Sequence, residues 1–264
     1  VNIPYYHVDA FAARAFTGNQ AAVMPLDEWL ADEVLQAIGE ENNFAETAFV
    51  VKDESGAADY ELRWFTPACE IRLCGHATLA AGHVLLTESE KSRVTFRTRQ
   101  AGVLEVLRDG EQYKLALPAI PTQRGEREEV VALLGAKPRE TWLNRDGYGI
   151  YLFDDAQAVR DLSPDLRRLG ALGDDQFICT APGEDTDVIS RVFVPGGGVD
   201  EDSVTGSAHA CLTPFWADRL GRDAFTAFQA SKRGGHLTCR LDGDQAWLGG
   251  QCVTVVEGRF ALPG

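Results

Sequence analysis

Two short turns in this sequence have the composition to hold an anion. They are Leu73-Cys74-Gly75-His76-Ala77-Thr78 and Val204-Thr205-Gly206-Ser207-Ala208-His209, each followed by an apolar run. A glycine ahead of a helix lets backbone approach a ligand, and the first N–H groups of a helix lack internal partners. Two such helix starts facing one cleft would cradle a carboxylate. Each turn alone is equally compatible with a tight strand-to-helix connection; the matched pair is what points to chemistry. Glu46, in Asn42-Asn43-Phe44-Ala45-Glu46-Thr47-Ala48-Phe49, stands at the mouth of an apolar strand. Partial desolvation there would raise its basicity and suit proton transfer, whereas a solvated loop glutamate would do nothing. His76, at the start of a buried helix, is either a proton donor or a hydrogen-bonded core residue. His83 and His209 read as core residues. Asp202, in Asp200-Glu201-Asp202-Ser203, is either a site carboxylate or a helix-capping acid. Cys74 is either a thiolate favoured by a helix N-terminus or an inert buried thiol.

No metal site is expected. His76 and His83 lie about two helical turns apart, not at the i, i+4 spacing of a shared ion. Gly196-Gly197-Gly198 lacks the spacing of a dinucleotide fingerprint, and no Gly-Lys-Ser/Thr occurs.

The elements that would position these residues follow from periodicity. Tyr5 to Val8 and Ala21 to Met24 read as strands around Thr17-Gly18-Asn19-Gln20, and residues 27–39 as an amphipathic helix. Thr47 to Val51 and Tyr60 to Phe65 are β-branched and aromatic, hence strands. Residues 76–87 are apolar nearly all round, which predicts a buried helix. Val94 and Phe96, Val103 to Leu107, and Tyr113 to Leu117 form a meander broken at Ala101-Gly102 and Asp109-Gly110. Beyond Pro118 and Pro121 the order repeats. A short helix spans Glu128 to Leu134, a strand Tyr148 to Phe153, and a helix Pro164 to Leu172. Strands cover Phe177 to Thr180 and Ile189 to Val194, a second apolar helix covers Ser207 to Leu220, and hairpins lie around Asp242-Gly243 and Gly249-Gly250. Strands, a glycine-bearing turn and one buried helix in each half suggest a duplication by pattern. The chain is expected to form two α+β lobes, 1–117 and 118–264, with the last strand free to return to the first lobe. A cleft between lobes is the usual place for a ligand.

The 264 residues, 45% hydrophobic and 25% charged, suit a water-soluble chain with two cores of moderate size. A formal net charge of −15 disfavours nucleic acid and anionic membrane surfaces as partners. It also leaves capture of an anionic substrate to local donors. The cysteines, Cys69, Cys74, Cys179, Cys211, Cys239 and Cys252, form no close pairs, as expected of reduced thiols in the cytoplasm. The start, Val1-Asn2-Ile3-Pro4, shows no signal-peptide pattern, and no apolar run approaches the ~20 residues of a membrane span.

Taken together, Thr17-Gly18-Asn19-Gln20-Ala21-Ala22-Val23, Asn43-Phe44-Ala45-Glu46-Thr47-Ala48-Phe49, Trp64-Phe65-Thr66-Pro67, Leu73-Cys74-Gly75-His76-Ala77-Thr78 and Glu201-Asp202-Ser203-Val204-Thr205-Gly206-Ser207 resemble the phenazine-biosynthesis PhzF-like family, in the family's order. The resemblance implies a diaminopimelate-epimerase-like α+β fold: two similar lobes, each a curled, mostly antiparallel sheet around a central helix, with the active site in the cleft between them. It implies a homodimer and no cofactor. It places the family's catalytic groups on Glu46, His76, Asp202 and Ser207, with Asn19, Cys74, Gly75, Thr205 and Gly206 around the substrate. Ser203 stands where the family usually carries proline. Cys74 matches the first of the two epimerase cysteines, but the second lobe offers no equivalent thiol, which argues against a two-thiol racemase.

The expected activity is a cofactor-independent isomerisation or epimerisation, a proton shift on a small carboxylate-bearing metabolite with Glu46 as acid and base. Two other readings stay open: a thiol hydrolase using Cys74, and a non-catalytic protein that binds small carboxylates.

Overall fold

The helix expected at 76–87 forms around a run with no polar stripe, and such a helix is stable only when covered on all sides. The computed structural model, which describes residues 2–262, covers it with a sheet. The chain divides into two compact units, one holding residues up to 116 and those from 249 on, the other residues 117–248.

The first unit runs β1 Asn2–Ala10, β2 Asn19–Leu26, α1 Asp32–Asn42, β3 Glu46–Lys52, β4 Tyr60–Phe65, β5 Glu70–Ile71, α2 Gly75–Thr87, β6 Arg93–Thr98, β7 Val103–Asp109 and β8 Gln112–Pro118. The second runs β9 Gln123–Arg124, α3 Glu128–Val131, β10 Glu140–Leu143, β11 Tyr148–Leu152, α4 Ala156–Arg160, α5 Leu166–Gly170, β12 Gln176–Pro182, β13 Val188–Val194, β14 Val199–Asp202, α6 Gly206–Leu220, β15 Ala224–Gln229, β16 Gly235–Asp242 and β17 Gln245–Gly250. The last strand, β18 Cys252–Ala261, pairs antiparallel with β1.

The two units share one wiring. In the first, β1–β2 is antiparallel, β2–β3 parallel, β3–β4 antiparallel, β4–β6 parallel and β6–β7 antiparallel, with short β5 folded back on β4 just before α2. In the second, β10–β11 is antiparallel, β11–β12 parallel, β12–β13 antiparallel, β13–β15 parallel and β15–β16 antiparallel, with short β14 folded back on β13 just before α6. Strand for strand, β1 to β4 answer to β10 to β13, β5 to β14, α2 to α6, and β6 to β15. The duplication suggested by the sequence is therefore present in topology as well as pattern.

Each sheet has a second apolar layer. In the first unit Ile3, Met24, Leu35, Ile38, Phe49 and Phe65 pack with Trp29, Leu30 and Val34 under α1. In the second unit Leu133, Leu134, Tyr151, Val159, Leu169, Phe177 and Phe193 form the corresponding layer beneath α3, α4 and α5. Several helix boundaries differ from expectation. Trp29 and Leu30 keep their apolar role but precede α1, which starts at Asp32. Residues 164–172 contribute only Leu166–Gly170, because Pro164 lies outside the helix and Asp165 caps it by accepting from the Arg168 N–H. The helix expected from Glu128 to Leu134 shortens to Glu128–Val131. Helix α4 was not anticipated, being too short to show a period.

Burial on all sides explains the glycine inside α2. A Cβ on Gly82 would sit 2.5 Å from Val106 Cγ1 and 2.7 Å from Val106 Cβ on β7. Gly82→Ala gains ~1 kcal/mol of helix propensity but overpacks this contact by ~1–3 kcal/mol. Net destabilisation of about 1 kcal/mol is expected in urea unfolding, partly reversed by adding Val106→Ala. A stabilised single variant would show that the sheet gives way freely around α2.

Candidate active site

The parallel pair β2–β3, with Ala21 opposite Glu46, brings the first residues of both strands to one end of the sheet. Asn19 opens β2, Glu46 opens β3, and α2 begins beside them with Cys74 as its extended N-cap residue. Glu46 Oε2 lies 2.9 Å from His76 Nε2, with side chains 15% and 4% exposed. Glu46 is thus no solvated loop residue. The contact is oblique, and neither atom completes an aligned hydrogen bond. On the other edge of the ring, His76 Nδ1 meets Asn19 Nδ2 at 3.2 Å and Cys74 Sγ at 3.5 Å. Thr78 Oγ1 donates to the Cys74 carbonyl at 2.5 Å and steadies the turn.

Burial pushes the Cys74 thiol up to about 11, helped by the Glu46 charge and opposed by His76. The thiol is therefore protonated near neutral pH, which removes the thiolate that a Cys74 hydrolase requires. For His76, burial disfavours the imidazolium, while negative charge at Cys74 and Glu46 favours it, and the result lies well above the ordinary histidine value. With the thiol protonated, the part of that upward push that remains comes from Glu46.

Donor atoms of Glu46, Cys74 and His76 lie within 4.8 Å of one another, close enough to consider a metal. Glu46 meets the Nε2 edge of the imidazole while Cys74 meets the Nδ1 edge, and one ion can take only one of these nitrogens. The set fits proton sharing better than a cation cage.

The remaining candidates lie in the second unit. Thr205 is the extended N-cap of α6, Gly206 its first residue and Ser207 its second, as Cys74, Gly75 and His76 are in α2. Thr205 Oγ1 donates to Asp202 Oδ2 at 2.6 Å. Gln229, fully buried, accepts the Thr205 N–H at 2.8 Å and donates to the Asp202 carbonyl at 2.7 Å. Ser207 Oγ lies 3.0 Å from Gln176 Nε2 and 3.2 Å from Gln176 Oε1. Gln176 and Gln229 escaped the sequence reading because amides carry no chemical signature. Aligning the halves on Gly75 and Gly206 puts Glu46 opposite Phe177, one residue from Gln176; only the strand pairing shows that Gln176 opens β12 as Glu46 opens β3.

His83 and His209 are structural. Burial lowers each to about 4; His83 bonds Thr254, and His209 Nδ1 meets the Thr205 carbonyl. Cys211 is buried within α6 and pushed to about 12.

Over residues 8–258 the chain matches the PhzC-PhzF family, described as phenazine biosynthesis-like protein. An uncharacterized isomerase of Pseudomonas aeruginosa is 44% identical over 265 residues, covering 99% of this chain and 100% of the relative. The crystal structure of a PhzF-family phenazine biosynthesis protein from Enterococcus faecalis superposes with a TM-score of 0.92 at 41% identity, covering 99% of this chain and 100% of that one. A hydroxyproline epimerase of Agrobacterium vitis shares the fold, with a TM-score of 0.60 at 14% identity, 99% of this chain and 93% of that chain being covered. The chain therefore belongs to the phenazine biosynthesis-like, PhzF-type family. Among the described residues no helix is long and apolar enough to cross a membrane.

The Glu46–His76 pair makes stability depend on pH. Because His76 is raised in the folded state, its contribution is complete below the unfolded value of ~6.5 and disappears as pH rises through the folded value. His76→Gln should remove a fall in stability of up to ~1.4 kcal/mol per pH unit between ~6.5 and the higher folded value, relative to the parent, measured by urea titration at successive pH values. An unchanged slope would mean that His76 is not charged in the fold.

Proposed function

We propose that this chain is an isomerase that moves a proton on a small carboxylate-bearing metabolite, with Glu46 as acid and base. Its family membership and its relative named as an isomerase support the reaction class. The observation that carries the catalytic assignment is the buried approach of Glu46 to His76 at 2.9 Å. A carboxylate beside an imidazolium, with neither atom held in an aligned hydrogen bond, can turn toward a third group.

In this reading Glu46 takes a proton from a carbon next to a carbonyl or unsaturated system. The electron pair left behind delocalises, the proton held on Glu46 exchanges with solvent, and Glu46 delivers a proton to a conjugated position. Atoms and electrons balance without a cosubstrate. His76 stabilises the negative charge as it develops, a role that fixed charges fill better than water. On its far edge the imidazolium Nδ1–H faces Cys74 Sγ, which can accept it, and Asn19 lies beside the same edge. The first-turn N–H groups at Gly75 and His76 supply donors for the substrate carboxylate. Asp202, Thr205, Gly206 and Ser207 take supporting roles in binding and charge. A homodimer working in the cytoplasm belongs to the same proposal, with sedimentation as the check on the first point.

Glu46→Gln retains shape and hydrogen bonding but cannot accept a proton from carbon. It should bind the substrate yet lose ~10²–10⁴-fold in turnover, together with the one-mass-unit gain of the metabolite in deuterated water. His76→Ala and Asp202→Asn should be milder or should weaken binding. Normal turnover by Glu46→Gln with a dead Asp202→Asn would reverse the roles. Binding of a carboxylate with no solvent exchange in the parent protein would instead favour a binding function.

A further inference from the structure

The shared wiring allows the two helix starts to be compared position by position. Glu46 is the first residue of β3, and its partner His76 is the second residue of α2. In the second unit the first residue of β12 is Gln176, and the second residue of α6 is Ser207. These two also touch, at 3.0 and 3.2 Å. One site of the fold thus occurs twice, once as a carboxylate with an imidazole and once as an amide with a hydroxyl.

From this correspondence we infer that Gln176 is a positioning residue for the isomerase reaction: it is the uncharged counterpart of Glu46, and it fixes the Ser207 hydroxyl for hydrogen bonding to substrate. The inference rests on the isomerase reading above. Neither an amide nor a serine hydroxyl titrates in the working range, so this pair moves no proton to or from carbon. Left alone, the Ser207 side chain would sample several staggered rotamers. Gln176 has both a donor and an acceptor within reach of Oγ. When Nε2 donates to Oγ, the Ser207 proton is free to point elsewhere; when Oε1 accepts it, Oγ keeps its lone pairs for another donor. The hydroxyl can therefore meet either a substrate oxygen or a substrate N–H. A carboxylate at position 176 would destroy this freedom, because it accepts only and would hold the Ser207 proton permanently.

The test uses a pool of small metabolites extracted from cells and incubated with the full chain in deuterated water. The reporter is the metabolite that gains one mass unit with the parent protein and not with Glu46→Gln. Gln176→Ala and the length-matched Gln176→Met, both checked for native unfolding midpoints, should raise KM for that reporter about 3- to 30-fold and change kcat less than about 3-fold, the range for one lost hydrogen bond. In a Ser207→Ala background the same changes should have no further effect, since Gln176 acts through that hydroxyl. Gln176→Glu should be impaired near neutral pH and regain activity relative to the parent as pH falls toward ~4.3, where the new carboxyl protonates and can donate again. Multiplicative effects of the Gln176 and Ser207 changes, or a Gln176→Glu deficit that does not move with pH, would overturn the inference while leaving Glu46 in its role. A pool in which no metabolite is labelled by the parent, or in which every one so labelled is labelled equally by Glu46→Gln, would overturn the isomerase reading itself.

Discussion

The arrangement depends on one electrostatic contact, the approach of a carboxylate to an imidazole at the start of a helix that is covered on all sides. His76 is nearly inaccessible, and Glu46 largely so. A lone charge in that position would cost several kcal/mol, and removing one member of a buried pair typically costs ~3–5 kcal/mol. Each residue therefore requires the other, and the strands and helix that carry them must meet at this spot. The apolar body of α2 is what brings the pair under cover. Burial keeps the Cys74 thiol protonated, while at His76 the neighbouring negative charge outweighs burial and favours the imidazolium.

Duplication of the wiring gives this contact a second meaning. The fold provides the same strand end and the same helix start twice, but it has equipped them differently. The first carries groups that can exchange a proton. The second carries Gln176, Ser207, and a network in which Gln229 and Asp202 hold the Thr205 cap. A two-base racemase would need proton-exchanging groups at both starts. An enzyme that lifts a proton and replaces it with one group needs a proton-exchanging pair at only one of them.

Much of this was legible from the sequence, for identifiable physical reasons. The all-apolar stretches at 76–87 and after Ser207 could be nothing but covered helices. The glycine turns before them were visible because glycine has few other reasons to stand there. Glu46 and His76 were each ambiguous alone, since a glutamate at a strand end and a histidine in a helix have ordinary uses. The parallel pairing of β2 with β3, a non-local fact, is what turns them into partners. Helix ends were misjudged where proline or aspartate stopped a helix that hydrophobic spacing would have extended, as at Pro164 and Asp165. Gln176 and Gln229 were invisible because amides act only through the partners that the fold assigns to them.

The most direct test of the central claim is the protonation state of His76, read from imidazole ¹⁵N shifts in histidine-labelled protein. The account predicts a doubly protonated His76 ring at neutral pH, persisting above the ordinary histidine range, and a neutral ring in Glu46→Gln. A His76 that is neutral at pH 7 in the parent protein, or one whose titration is untouched by loss of the Glu46 carboxylate, would contradict it.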